Sequence, residues 1–410
     1  MNSYIVIFTE KRTNRIDYII DFIFKDFSGI VYKIITDKNE FIECKSMKIN
    51  LSHLFFDDEI NFNLDDILIE NDIKEAINYD ELSEFGKCFF WLSRYEEYTK
   101  KPHLFDKHNR FLGSKFNYSE PIVDIICLTI QQKIKSKYPD ILFKERLFEQ
   151  VNTHDVDYAW KYLYHSPLII IASLIKKLVK GNVKDFKQQL NVLFKRDKDP
   201  YDTFKYLEEV TKRKQIKTIF FWLLGDYSTF DKNHNWKNKQ QKKLIKKLSN
   251  WSTIGIHPSY KSNQNLDLLP IEINRLELIC GFKIRKSRQH FIKLHFPQTY
   301  QQLLINGIEE DYTMGFANRI GFRAGTCTPF KWFDLSTNQQ TLLTIFPFVA
   351  MDVSLRNYLK LSSIEAIEEI RKLKVEVRNV NGTFITLFHQ SNLTDNWREW
   401  KDVYESIFDS

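Results

Sequence analysis

From Leu147 to its end the chain alternates, at short intervals, between apolar runs of strand length and segments of helical periodicity. Strands are expected up to Thr153, over Thr218–Leu224, into His257, and around Arg288 and His290. Further ones are expected near Tyr312 and Phe322, over Thr344–Met351 and over Phe384–His389. Helical patterns over Tyr201–Arg213, Lys239–Leu248, Leu268–Cys280, Thr299–Ile305 and Ile364–Leu373 separate most of them, and a closing helix is expected over Asp395–Ile407. Ser362 with Glu365 makes a capping box that fixes the start of the helix at 364. Repeated strand-helix units imply an α/β fold with a mostly parallel sheet closed, or nearly closed, into a (β/α) barrel. Barrels of this kind collect their chemistry at the carboxyl ends of the strands.

The first 145 residues follow a different pattern: a strand over Tyr4–Phe8, a helix over Ile16–Phe27, strands near Ile30–Ile35 and Phe41–Cys44, then helices over Leu82–Tyr98 and Pro121–Ile134. The expected division is a smaller α/β N-terminal domain over 1–145, of no assigned role, and the barrel over 146–410. At 410 residues and 43% apolar content the chain has material for both cores. Five cysteines without Cys-x-x-Cys spacing read as reduced structural thiols. The start lacks the features of a secretory signal, and no run of about 18 apolar residues is present to span a bilayer, so a cytoplasmic location is expected. The net charge of +7 is spread among Lys and Arg throughout the chain, with a local excess near residues 176–198 and 237–247. The first cluster follows Pro167-Leu-Ile-Ile-Ile-Ala-Ser-Leu-Ile, which is expected to be a surface helix with its apolar face packed, with peripheral contact to an anionic membrane as the alternative. Basic residues interleaved with acids and no recognition motif argue against nucleic-acid binding.

Residues 153–157 read Thr-His-Asp-Val-Asp. At a strand end, side chains two apart face the same way, so Asp155 and Asp157 reach one cleft. An Asp-x-Asp alone is a weak signal; the later segments Gly255–Tyr260, Ser287–His290, Gly321–Thr326 and Leu387–Gln390 supply the imidazoles and guanidinia that give it meaning.

In that order these motifs, over about residues 147–400, resemble the polysaccharide deacetylase (NodB-homology) family of carbohydrate esterases. The resemblance implies a distorted barrel of that type, with Asp155 as catalytic base, Asp157 and His257 as metal ligands, His389 as catalytic acid and Arg288 as the arginine holding the base. Arg323 is kept as the alternative arginine, and Asp352 as the group that orients His389. The family's second metal histidine is replaced, four residues after His257, by Lys261, whose ammonium does not bind a cation; His290 is the expected substitute. Asp231, Tyr260 and Tyr312 are expected to touch substrate. The implied cofactor is a divalent metal, zinc before cobalt or nickel. The implied substrate is an N-acetylated sugar of a polysaccharide or glycan precursor. The competing reading is a non-catalytic carbohydrate-binding or assembly protein with a degenerate site, and Lys261 is the feature in its favour. Subunit number is not encoded in these motifs.

Overall fold

The computed structural model describes residues 4–99, 101–394, 397 and 399–409 of the 410. Two sheets organise it. The first is four-stranded and parallel, in the order β2-β1-β3-β4, from β1 (Ile5–Phe8), β2 (Tyr32–Ile35), β3 (Met47–Leu51) and β4 (Ile60–Phe62). Phe41, expected in a strand, lies in the helix Lys38–Glu43 instead, because the Asp37 carboxylate accepts the Glu40 N–H at 2.8 Å and starts a helical turn. The expected helix over Leu82–Tyr98 is two, Glu84–Leu92 and Tyr95–Tyr98, broken at Arg94, whose φ of +54° is left-handed.

The second sheet has nine strands: β5 (Glu149–Val156), β6 (Lys217–Trp222), β7 (Thr253–Ile256), β8 (Lys286–Ser287), β9 (Glu310–Asp311), β10 (Phe330–Asp334), β11 (Gln339–Ile345), β12 (Ala350–Met351) and β13 (Thr383–His389). Their order is β10-β11-β9-β8-β7-β6-β5-β13-β12, parallel throughout except for the β10–β11 hairpin. The expected strand Thr344–Met351 is split between β11 and β12. Its start pairs with β9, its end pairs with β13, and between them Phe348 N–H reaches the Met314 carbonyl while Val349 N–H reaches that of Ile385. Phe322 lies in a loop rather than a strand: Gly321, at φ +115°, brings its backbone against the Tyr118 carbonyl, where a Cβ would collide. The closing helix is Trp400–Ser406; the expected start at Asp395 lies outside the described residues.

Alternation along the strands separates two cores. Val151, Ile219, Phe221, Ile385, Leu387 and Met351 bury on one face with Tyr312 and Phe348, whereas Val156, Phe220, Trp222, Ile254, Ile256, Phe384 and Phe388 bury on the other beneath the helices. That second core continues without a break into the leading region, from Ile5 to Ile407. A buried ion pair joins the two: Arg323, expected near the cleft, donates to both Glu97 carboxylate oxygens at 3.0 and 2.6 Å, and Arg94 donates to the same carboxylate at 2.8 Å. Burial opposes ionisation of Glu97, and the two guanidinia override it and hold the carboxyl below its ordinary range. Arg323 is therefore a brace between regions. Truncating the shared acid strands two buried guanidinia, so Glu97→Ala is expected to cost about 3–5 kcal/mol in urea denaturation.

Candidate active site

Four strands deliver the polar groups to one end of the large sheet. The parallel register sets His389 of β13 directly beside Asp155 of β5, and Val156 is level with Trp222 of β6 and Ile256 of β7. His257 and Arg288 are the first residues beyond β7 and β8. On β5, Thr153 and Asp155 share a face and both meet Arg288, whose Nη1 donates to the Thr153 hydroxyl at 2.7 Å and to Asp155 Oδ1 at 3.1 Å. His154 points the other way, its Nδ1 bonded to the Phe388 carbonyl and its ring stacked on Phe220.

Three imidazoles converge on Asp157. His257 Nε2 lies 3.4 Å and His290 Nε2 3.7 Å from its Oδ1, and His389 Nε2 lies 3.9 Å from its Oδ2. Each ring is held from behind through Nδ1: His257 by the Arg288 carbonyl at 2.5 Å, His290 by Asp231 at 2.9 Å and His389 by Asp352 at 2.9 Å. A carbonyl or carboxylate only accepts, so Nδ1 carries the proton in every case. In the neutral ring, Nε2 then presents a lone pair to the acid. Backing of this kind is how metal-ligating histidines are fixed. Ligand atoms of Asp157, His257 and His290 all lie within 4.8 Å of one another. Asp157 Oδ1 is buried without a hydrogen-bond partner, which a cation would supply.

Electrostatics point the same way. Burial disfavours the charged form of Asp157, but His290, His257 and His389 outweigh it, leaving the carboxyl well below its usual range. Burial also opposes protonation of His290, yet Asp157 and Asp231 lift it to about 9. His389, against the same burial, is lifted to about 10 by Asp352 and then by Asp157 and Asp155. The site draws positive charge.

Asp231, expected on substrate, is fully buried and accepts from His290 and from the backbone N–H groups of Tyr260 and Lys261. It positions a ring instead. Tyr312 stacks on Phe346 between the strands, and its hydroxyl donates to Glu310 at the opposite, amino end of the sheet, so the ring does not face the cleft; its carbonyl accepts from Arg288 Nε. Tyr260 is mostly buried, packed with Phe230 and Phe291 and bonded to His108 of the leading region at 3.2 Å. The Lys261 side chain is exposed, and only its backbone N–H reaches the group, through Asp231. The roles of Thr153, Glu97 and His108 were not read from the sequence, because Arg288, Arg323 and Tyr260, which they meet, lie 135, 226 and 152 positions away. Beyond Asp157 the loops after β5 and β6 enclose a cavity of about 560 Å3 whose walls include Tyr158, Trp160, Tyr162, Tyr227 and Trp236.

Residues 5–139 match a family of unknown function (DUF7033). No curated protein matches the chain. Solved structures similar to it include a provisional polysaccharide deacetylase from Mycobacterium smegmatis, 14% identical over 65% of this chain and 85% of that one, with a TM-score of 0.42. A polysaccharide deacetylase from Bacillus cereus is 10% identical over 64% of this chain and 86% of that one, with a TM-score of 0.30. IcaB from Ammonifex degensii is 15% identical over 42% of this chain and 86% of that one, with a TM-score of 0.24.

Calorimetric titration of the chelator-treated protein with zinc or cobalt is expected to show one site, abolished in Asp157→Ala. Removing the backing of His290 in Asp231→Ala is expected to weaken the metal about 10–100-fold.

Proposed function

We propose that the chain is a metal-dependent hydrolase that removes an N-acetyl group from a sugar of a polysaccharide or glycan precursor. The reading is carried by the convergence of three backed imidazoles on Asp157, with its buried, partnerless Oδ1, beside an aspartate fixed by an arginine. Asp157, His257 and His290 would hold the ion. A divalent metal, when bound there, supplies an activated water at neutral pH and positive charge for the amide oxygen.

The chain's own groups supply the proton transfers. Asp155 is the base: Arg288 and the cluster divide its carboxylate, Oδ1 taking the Arg288 bond while Oδ2 lies 3.6 Å from His257 Nε2, on the side where a water would be deprotonated. His389 is the acid. Its Nδ1 proton is committed to Asp352, which Val353 N–H, Asn392 and the His389 N–H also fix, so the proton to be donated sits on Nε2 at the more open side of the cluster. Delivered to the departing nitrogen, it leaves a free amino sugar and acetate. Aromatic rings around the cavity beside Tyr158 suit the apolar face of a sugar ring.

The reading of a degenerate binder drew its strength from Lys261. With that side chain exposed and His290 within the cluster, the substitution does not count against a metal. We also read the large sheet as a barrel, with residues 344–351 linking β9 to β13.

Acetate release from N-acetylhexosamine conjugates tests the proposal. Chelation is expected to abolish it and zinc or cobalt to restore it. Asp155→Asn is expected to be inactive with metal affinity retained. His389→Ala should lower kcat by about a hundred- to ten-thousand-fold, the usual contribution of a general acid. Release that is indifferent to Asp155→Asn would show the base assignment to be wrong.

A further inference from the structure

The helix Pro167–Val179 exposes apolar side chains that an ordinary surface helix would bury. Its apolar stripe, Leu168, Ile171, Ile175, Leu178 and Val179, follows the spacing of a single helical face, and these residues are 80, 54, 55, 57 and 82% exposed. The opposite face, turned toward the protein, carries Ser173 and Lys177 beside the half-buried Ile170 and Leu174: Ser173 donates to Gln189 at 3.1 Å, and Lys177 donates to the same amide with its ammonium 4.2 Å from the Tyr162 ring centre. No residue of the helix is buried. The hairpin continues into the helix Val183–Leu193, where Val183 and, just past it, Phe194 are also 56 and 68% exposed. The expectation of a packed apolar face thus fails here. An exposed apolar stripe of this kind marks an interaction surface.

Charge identifies the occupant. Residues 176–198 hold eight basic and two acidic side chains, and Lys176, Lys180, Lys184, Lys187, Lys195 and Lys198 are all exposed. Two copies meeting through this hairpin would press like charges together, whereas an anionic lipid surface satisfies both halves of it. We propose that the hairpin Pro167–Leu193 docks on an anionic membrane, sinking its stripe to the acyl boundary while the lysines meet headgroup phosphates. Contact is peripheral, since none of the described helices is long and apolar enough to cross a membrane. Ile169 and Ile170 of the same helix line the aromatic cavity beside Tyr158, so the docked surface would lie about one helix diameter, ~10 Å, from it.

Flotation of the full chain with phosphatidylcholine vesicles, with or without phosphatidylglycerol, tests this independently of any hydrolase activity. Binding is expected only with phosphatidylglycerol and is expected to fall with salt. Ile171→Asp and Leu178→Asp should each weaken it more than about tenfold, and Lys180→Gln by roughly fivefold. An unchanged melting temperature and zinc affinity will show that each variant is folded. Failure of the wild type to float on anionic vesicles overturns the proposal, as does equal binding to neutral ones. A dimer in light scattering that Leu178→Asp dissociates, without flotation, assigns the stripe to a second copy and overturns it equally.

Discussion

Arg288 holds the carboxyl end of the large sheet together. It is fully buried, and its groups reach three strands: Nη1 bonds Thr153 and Asp155 of β5, Nε bonds the carbonyl of Tyr312 just past β9, and its own carbonyl accepts from His257 beyond β7. Burying a guanidinium costs several kcal/mol unless its charge is answered. Here Asp155 answers it, and the rings of Phe221 and Phe348 lie 4.7 and 5.4 Å from its central carbon. One residue therefore sets both the orientation of the proposed base and the tautomer of a proposed ligand. A displacement of Arg288 would disturb both at once.

The leading region is part of the same architecture. Glu97 accepts Arg323 across the junction, Asp124 accepts the Cys327 N–H, and Tyr18 and Phe89 pack on Phe333. His108 goes further, reaching the aromatic group of Phe230, Tyr260 and Phe291 that backs His290. The wall behind the cluster is thus completed by a residue more than a hundred positions earlier in the chain. This accounts physically for the aromatic and charged density of residues 89–98: Phe89, Trp91, Arg94 and Glu97 face a protein surface, not solvent.

Period-two and helical patterns made most of the strands, their parallel course and the helices between them legible in the sequence. So was the clustering of polar residues at strand ends, because a parallel register brings all carboxyl ends to one side. Roles were harder to read. A motif cannot say whether an aspartate faces a ligand or the back of a histidine, and Asp231 does the latter because its loop folds over β7 to cap residues 260 and 261. Arg323 sits in a conspicuous glycine turn, yet its partner is contributed by Glu97, 226 positions away. Tyr312 lies one residue past a two-residue strand, too short for alternation to tell which end of the sheet its ring would face. The strand Phe41–Cys44 failed for a local reason: a capping aspartate outweighed β propensity.

The cluster around Asp157 has an internal logic that distinguishes its members. With protons as the only cations, His290 at about 9 and His389 at about 10 are both charged near neutrality, each facing a carboxylate on both sides. A metal ligand must be a neutral imidazole, so an ion taken up by Asp157, His257 and His290 displaces the proton from His290 and competes with it. His389 stands outside that trio and keeps Asp352 behind it. Both rings have an aspartate behind Nδ1, Asp231 for His290 and Asp352 for His389; in the proposed mechanism the first ring would give up its Nε2 proton to become a ligand and the second would keep one to act as an acid. In the sequence that division came from the resemblance, which implied His389 as the acid and left His290 as the substitute ligand.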